Sequence, residues 1–251
     1  MEGIKQDKQQ GRLHPITIAI RDIADIFDRM GFGVAYGPEL EDDFHVFTGL
    51  NIPPNHPARS MQDTFWVKDS QEHLLRTQVT AVSIRELEKL AKEGGTHLRC
   101  ISLGKVFRNE STDATHEAQF YQVDGFAVGP TGEVTLAHLK GTLTRFYREY
   151  LGEEAKVRFR PSFFGFTEPS VEIDVWFEPK GKEGKWLEVG GAGMFHPNVI
   201  RNAGLDPQKI AGFAFGVGIE RLIMVKYSVP DIRLFHNGDI RLNYAFGITE
   251  K

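Results

Sequence analysis

Apolar and polar positions alternate with a period of two on either side of a long polar interruption near the middle of the chain. From Cys100 to Arg108 the pattern predicts a strand with Ile101, Leu103 and Phe107 on one face. Ser102, Gly104, Val106 and Arg108 share the other face, which is mostly small with a guanidinium at its end. The polar run from Asn109 to Ala118 exceeds the ~2–5 residues of an ordinary hairpin loop and is a candidate functional loop. The returning strand sets Tyr121, Val123 and Ala127 against Phe120, Gln122 and Asp124. A hairpin built only for packing would not gather Arg, Phe, Gln and Asp on the face opposite its apolar residues. That face predicts a ligand floor. A ring can stack on a base, a guanidinium can fork onto phosphate or carboxylate, and a carboxylate can take an ammonium.

Helical spacing appears first after Pro15, where Ile16, Ile20, Ile23, Phe27 and Met30 recur until Gly31. That narrow stripe suits either a core face or a subunit contact. A second helix is expected from Glu39 to Asn51, with Leu40, Phe44, Phe47 and Leu50 inward and acids in its first turn. Three prolines between Ile52 and Arg59 exclude helix and central strand there. A short strand at Thr64 to Val67 follows. Leu74 to Thr80 then leads into a helix ending near Gly94, with Thr77 and Thr80 as caps. Beyond the central hairpin, Val134 to Tyr150 reads as an amphipathic helix with Leu136, Leu139, Leu143, Phe146 and Tyr150 inward. A strand at Lys156 to Arg160 opens onto Pro161 to Pro169, where Phe164 and Phe166 share a face if extended. Core packing and a pocket wall are both open readings for that pair. Strands at Val171 to Phe177 and Lys185 to Gly190 form a hairpin through the turn-like stretch Pro179 to Gly184. Gly190-Gly-Ala-Gly-Met194 lets backbone approach a ligand closely. His196 to Arg201 starts a short helix. Gly212-Phe-Ala-Phe-Gly-Val-Gly-Ile-Glu-Arg221 runs from strand straight into helix, and Arg221 stands where a dinucleotide fingerprint needs its third glycine, so a Rossmann fold is excluded. Residues 1 to 12 read as a polar, disordered lead, residues 13 to 251 as one catalytic domain, and the segment after Tyr227 as a final short element with a frayed end.

Composition narrows the classes without choosing one. The 251 residues are 41% hydrophobic and 25% charged, ordinary for a soluble globular protein. A net charge of −4 does not announce a nucleic-acid binder, so any RNA grip is expected from another segment or subunit. The single cysteine, Cys100, excludes an intrachain disulfide and a multi-cysteine metal site, and reads as a buried strand residue. No apolar run is long enough to span a bilayer and no signal peptide is visible, which predicts a cytosolic protein.

Phe107-Arg108-x-Glu110, Thr115-His116-Glu117-Ala118 and Phe120-Tyr121-Gln122-Val123-Asp124-Gly125 together resemble motif 2 of the class II aminoacyl-tRNA synthetases. Met30-Gly-Phe-Gly-Val-Ala-Tyr-Gly-Pro38 is similar to motif 1, and Gly212 to Arg221 to motif 3. With Leu-Asn-Ile-Pro…His-Pro-Ala-Arg at 50–59 and Phe-x-Phe-x-Glu-Pro at 164–169, the likeness narrows to the α subunits of bacterial phenylalanyl-tRNA synthetases. It runs from about Leu13 to Phe246. The resemblance implies an α+β fold, an antiparallel sheet flanked by helices. It further implies phenylalanine activation with ATP and Mg2+, transfer to tRNA(Phe), and a β-subunit partner in a heterotetramer. The motif 1 helix and strand would then build a dimer interface.

Roles implied for this chain follow from the matched positions. Arg108 would meet the α-phosphate and Arg221 the γ-phosphate, the latter aided by a helix N-terminus. His116 would donate to a phosphate, Phe120 would stack on adenine and Glu110 would read its amino group. Gln78, Thr80, Gln122 and Asp124 would hold the substrate amino group, and Phe164, Phe166 and Ala214 would shape the side-chain pocket. Glu168 would bind magnesium. The chain departs from the family at Asp124, where glutamate is usual, at Gly165, where proline is common, and at Ser83 and Gln62, where longer or aromatic residues are frequent. The family's N-terminal tRNA-binding arm and the mitochondrial form's C-terminal domain have no counterpart in this sequence, which fits a truncated catalytic domain, a reduced α subunit or a paralogue. Two alternatives stay open: a class II paralogue adenylating another substrate, such as a phosphoseryl or pyrrolysyl synthetase relative, and a non-catalytic binding subunit. Phe164 and Phe166 argue against a phosphorylated substrate. Intact Arg108, Glu168 and Arg221 argue against a subunit without catalysis.

Overall fold

A computed structural model describes residues 12–60, 63–70, 72–114, 116–178 and 183–246. In chain order the elements are α1 (Pro15–Arg29), β1 (Gly33–Val34), β2 (Leu40–Asp42), β3 (His73–Leu75), α2 (Ala81–Lys92), β4 (Leu98–Phe107), β5 (Gln119–Pro130), α3 (Leu136–Leu151), β6 (Val157–Phe164), β7 (Thr167–Phe177), β8 (Lys185–Phe195), α4 (Pro197–Asn202), β9 (Ile210–Gly218), α5 (Ile219–Tyr227) and α6 (Arg241–Ala245). Seven strands form one sheet in the order β1-β4-β5-β9-β8-β7-β6. Every pairing is antiparallel except that of β1 with β4. The expected α+β architecture, a largely antiparallel sheet flanked by helices, is what the chain adopts.

Strand alternation divides the sheet's side chains between two cores. Ile101, Val123, Ala127, Phe213, Phe215 and Val217 face a cluster built with α1, α3 and α5. There the α1 stripe is used: Phe27 is fully buried and stacks on Phe146 and Phe215, at centroid distances of 4.8 and 5.3 Å. Truncating such a ring costs roughly 3–5 kcal/mol. Cys100, Val106, Phe126, Val128 and Ala214 face the opposite way, against α2, α4 and the turn around Val46 and Phe47. Cys100 is buried as expected, and burial pushes its thiol pKa up.

Several local expectations need correction. Glu39 to Asn51 is not one helix. Leu40–Asp42 is a strand paired with His73–Leu75, followed by a π-helical turn at Phe44–Thr48. Arg85 from α2 grips the buried Glu41 carboxylate through Nε and Nη2, at 2.9 and 2.5 Å, a tertiary contact that spacing cannot reveal. Thr64 to Val67 forms no strand; a single bridge joins Trp66 to Leu74. The proline-rich stretch closes into one 3-10 turn, Pro57–Arg59, with Pro57 at its first position. Thr80 stands at the N-cap position of α2 but makes no capping bond, because its hydroxyl goes to Asp124. The strand expected at Lys156 to Arg160 continues to Phe164. Its Pro161 is tolerated because β6 is a sheet edge. The lead expected at residues 1–12 falls, up to residue 11, outside the described residues. So do Thr115, Gln62, most of the 179–184 turn and the last five positions.

Candidate active site

One face of β5 changes character along its length. Val128 and Phe126 lie in the second core, whereas Asp124, Gln122 and Phe120 line a cleft of about 400 Å³. Alongside, β9 contributes Ala214, Gly216 and Gly218, and β8 contributes Gly190, Gly191 and Ala192. Small residues make this floor approachable for a reason that can be measured. A Cβ on Gly191 would lie 2.7 Å from the Phe164 ring, and one on Gly216 would lie 2.8 Å from the Asp124 carboxylate.

Charge stands at both ends of the hairpin loop and at the start of α5. Arg108 follows the last residue of β4, donating from Nε to the Thr77 carbonyl at 3.2 Å, with its guanidinium 5.1 Å from the centre of the Phe120 ring. Glu110 approaches it at 3.9 Å. Burial lowers the Arg108 pKa, opposed by the Glu110 and Asp124 carboxylates. Arg221 lies in the first turn of α5 and donates to the Glu188 carbonyl at 3.1 Å. His116 lines the cleft from the loop, where Asp113 accepts from its backbone N–H at 2.9 Å and contacts its Nδ1 at 3.0 Å.

The far wall is aromatic. Phe164 ends β6 and Phe166 lies in the two-residue turn before β7, so they do not share one extended strand. The turn nevertheless brings their rings together, centroids 5.8 Å apart and planes 15° apart. At that separation they contact each other, so they form one wall rather than two opposite sides. Beside them Asn51 Nδ2 donates to the Gly165 carbonyl at 2.7 Å. Near the floor, Gln78 Nε2 donates to the Val46 carbonyl at 3.4 Å, and the Val79 N–H reaches the Gln122 side-chain oxygen at 3.3 Å. Asp124 is 3% exposed; burial raises its pKa to about 6 against the opposing pull of Thr80, Arg108 and Arg76.

Arg108, Glu110, His116, Phe120, Gln78, Thr80, Gln122, Asp124, Phe164, Phe166, Ala214 and Arg221 thus line one cleft. Glu168 does not. Its side chain is 75% exposed and lies 3.6 Å from His196. Sequence reasoning passed over Glu117, Glu188, Glu220 and Ile232, which also line the cleft. Glu220 was legible in principle, since it precedes Arg221 in a helix first turn. It is 1% exposed, accepts from the Tyr121 N–H at 2.9 Å and meets His236 at 3.3 Å. That contact raises the His236 pKa. Ile232 gave no signal; it arrives from the segment after α5, held by its N–H on the Ala114 carbonyl at 3.0 Å.

Residues 2–246 match the family described as tRNA synthetases class II core domain (F). Among curated relatives, the phenylalanine–tRNA ligase alpha subunit of Aromatoleum aromaticum is 50% identical over 243 residues, covering 94% of this chain and 70% of the relative. Those of Edwardsiella ictaluri and Syntrophomonas wolfei are each 48% identical, covering 95% of this chain and 69% and 70% of the relatives. No helix among the described residues is long and apolar enough to cross a membrane. A family pattern matched along nearly the whole chain, and relatives sharing about half its residues, lead to one conclusion: the chain belongs to the class II tRNA synthetase core family, within the phenylalanine–tRNA ligase alpha-subunit group.

Proposed function

We propose that this chain activates phenylalanine with ATP to phenylalanyl-adenylate and passes the phenylalanyl group to tRNA(Phe), acting with a β subunit in the cytoplasm. The observation that carries this reading is a single one. Arg108 and Arg221, far apart in sequence, open into the same cleft as an aromatic wall and a buried carboxylate. Phosphate chemistry and a hydrophobic α-amino acid are both provided for.

In the first step a substrate carboxylate oxygen bonds to the α-phosphorus, the bond from that phosphorus to the bridging oxygen breaks, and pyrophosphate leaves. No covalent enzyme intermediate is involved, so the protein's part is orientation and charge compensation. Arg108 would meet the α-phosphate and Arg221 the γ-phosphate, the latter from the first turn of α5. Adenine would stack on Phe120, its amino group facing Glu110, and His116 would donate to a phosphate oxygen. The phenyl ring would lie against the wall of Phe164 and Phe166 with Ala214 at its far end, while Asp124, Gln122, Thr80 and Gln78 surround the ammonium. In the second step a terminal tRNA hydroxyl attacks the carbonyl carbon and AMP departs.

Magnesium fits the nucleotide end of this arrangement. Glu188 and Glu220 line the cleft near Arg221, and the Glu188 side chain is exposed. One or two carboxylates with phosphate oxygens and waters suit that ion. Bound there, it would offset phosphate charge. On the opposite side of the molecule's function, the exposed Val34 and Tyr36, 40% and 82% accessible, support a subunit contact around the motif 1 strand.

Amino-acid-dependent ATP–pyrophosphate exchange tests the reading. Arg108→Ala and Arg221→Ala should each lose roughly 10²–10³ in rate, the usual cost of a preorganised charge donor. Near-wild-type exchange in both folded variants overturns the assignment. A chain that charges tRNA(Phe) at an ordinary rate without a β subunit overturns the partner.

A further inference from the structure

Asp124 is a deeply enclosed ionisable group on the cleft floor. Its Oδ2 receives the Thr80 hydroxyl, and its Oδ1 has no hydrogen-bond partner among the described residues. Two cations face it, and neither forms an ion pair with it. Arg76, from the segment after β3, is itself buried and directs its guanidinium to the carbonyls of Lys105, Gly37 and Pro38, at 2.8, 3.1 and 3.3 Å. Arg108, beyond the end of β4, is engaged by the Thr77 carbonyl and the Phe120 ring. From β4 the directly paired residue is Ser102, and from β9 it is Gly216, where a Cβ would lie 2.8 Å from Oδ1. Gln122 is its polar neighbour on the same face of β5. A carboxylate so enclosed, with one oxygen unsolvated and unpaired, is disfavoured in its charged form.

We infer that Asp124 reads the charge of the substrate's amino group by proton exchange: the enclosed free site favours the carboxylic acid, and an incoming α-ammonium pairs with the carboxylate as any bound proton leaves to solvent. The inference rests on the reading that this cleft takes an α-amino acid ammonium-first against Asp124. No net bond is made beyond that ion pair. The O–H bond of the acid breaks, the proton goes to buffer, and the ammonium keeps its three protons and its charge. Selection follows from this exchange. An acid with the same side chain but no amino group has nothing to compensate the carboxylate, so it binds only while Asp124 stays protonated. The pKa of about 6 places the exchange within reach of ordinary buffers.

Isothermal titration of the intact protein with phenylalanine, in pairs of buffers with different ionisation heats, measures the proton directly. About half a proton should be released per phenylalanine bound near pH 6, and almost none at pH 8. Below pH 6 the apparent Kd should weaken by up to about tenfold per pH unit. 3-Phenylpropionate should bind weakly, release no proton and lose affinity as pH rises. Asp124→Asn should abolish the proton release, and Asp124→Glu should retain it. Phenylalanine binding with no proton release at pH 6, or unchanged release in Asp124→Asn, overturns the inference while leaving phenylalanine activation intact. Failure of phenylalanine to bind or support exchange at any pH instead overturns the functional reading itself.

Discussion

Replacing Gly191 by alanine adds one methyl group against the aromatic wall of the cleft. The new Cβ would sit 2.7 and 2.8 Å from Cζ and Cε2 of Phe164. Restoring ordinary contact requires the ring to retreat by roughly 0.7 Å, since overpacked groups must shift rather than compress. The backbone cannot yield instead. Gly191 is paired with Glu172 on β7 and Gly216 on β9, so strands hold it on both sides. Phe164 is pinned at its own N–H, which donates to Ser170 Oγ at 3.1 Å. What remains is rotation of a half-buried ring, and the stacked Phe166 limits its direction. The fold should survive, at a cost of about 1–3 kcal/mol. The aromatic wall should not keep its place. A misplacement approaching 1 Å at a positioning residue can cost up to ~10²-fold, so kcat/KM for phenylalanine should fall about 10- to 100-fold. The KM for ATP should stay within about twofold, because Phe120 and the two arginines are untouched. Pyrophosphate exchange with phenylalanine and ATP varied separately measures both, and the slightly smaller thienylalanine should suffer less. A folded Gly191→Ala protein with unchanged phenylalanine kinetics would refute the placing of Phe164 against the substrate ring.

Ala214→Gly should let para-chlorophenylalanine support exchange and should raise tyrosine activation. Ala214 is buried on the floor face opposite Phe213 and Phe215, and an apolar pocket alone rejects an added hydroxyl only ~10²-fold. A folded variant with no gain for the para-substituted analogue would remove Ala214 from the pocket. Gly104→Ala should lower stability by about 1–3 kcal/mol in urea titration, because its Cβ would collide with the Arg76 guanidinium, held by three carbonyls. An unchanged midpoint would show that Arg76 can move aside.

The central hairpin was legible because its alternation was honest on both faces. Ile101, Val123 and Ala127 pack with the helices, while Phe120, Gln122 and Asp124 reach the cleft. The strand-to-helix passage at Gly212 to Arg221 was legible for the same reason: period two gives way to a helical start at Gly218. Sequence reasoning failed where distant partners decide. The Glu39 to Asn51 stretch has helical spacing, yet its first residues pair with His73–Leu75 and Glu41 is claimed by Arg85. Ile232 lies in an unremarkable segment and reaches the cleft only because the chain returns beneath the loop at Ala114.

Asp124 and Asp174 make the same point for ionisation, and they yield a paired prediction. Both are acids at alternating strand positions and both are almost fully buried, at 3% and 1% exposure. Asp174 receives Arg158 Nε at 2.7 Å and Arg160 Nη2 at 3.0 Å, and these arginines, Arg160 foremost, hold its pKa below the usual carboxylate range. Its contribution to stability is therefore present above the unfolded pKa and is lost as pH falls through the folded value. Asp124 accepts from a hydroxyl and ion-pairs with neither cation that faces it, and burial raises its pKa from 3.8 to about 6. As pH rises between those values the unfolded chain gives up its proton first, and the folded state loses on the order of 3 kcal/mol at most. Asparagine at 124 removes that loss, so Asp124→Asn should stabilise the ligand-free protein, more at pH 8 than at pH 5, while weakening phenylalanine binding. Asp174→Asn should destabilise it at pH 8, since the arginines would lose their anion. Urea midpoints at the two pH values, without amino acid, separate the cases. If Asp124→Asn costs stability at pH 8 as Asp174→Asn does, Asp124 is a packing residue with hidden partners. If it gains stability and loses ligand, the strain at Asp124 is carried by the fold for the sake of the ammonium that relieves it.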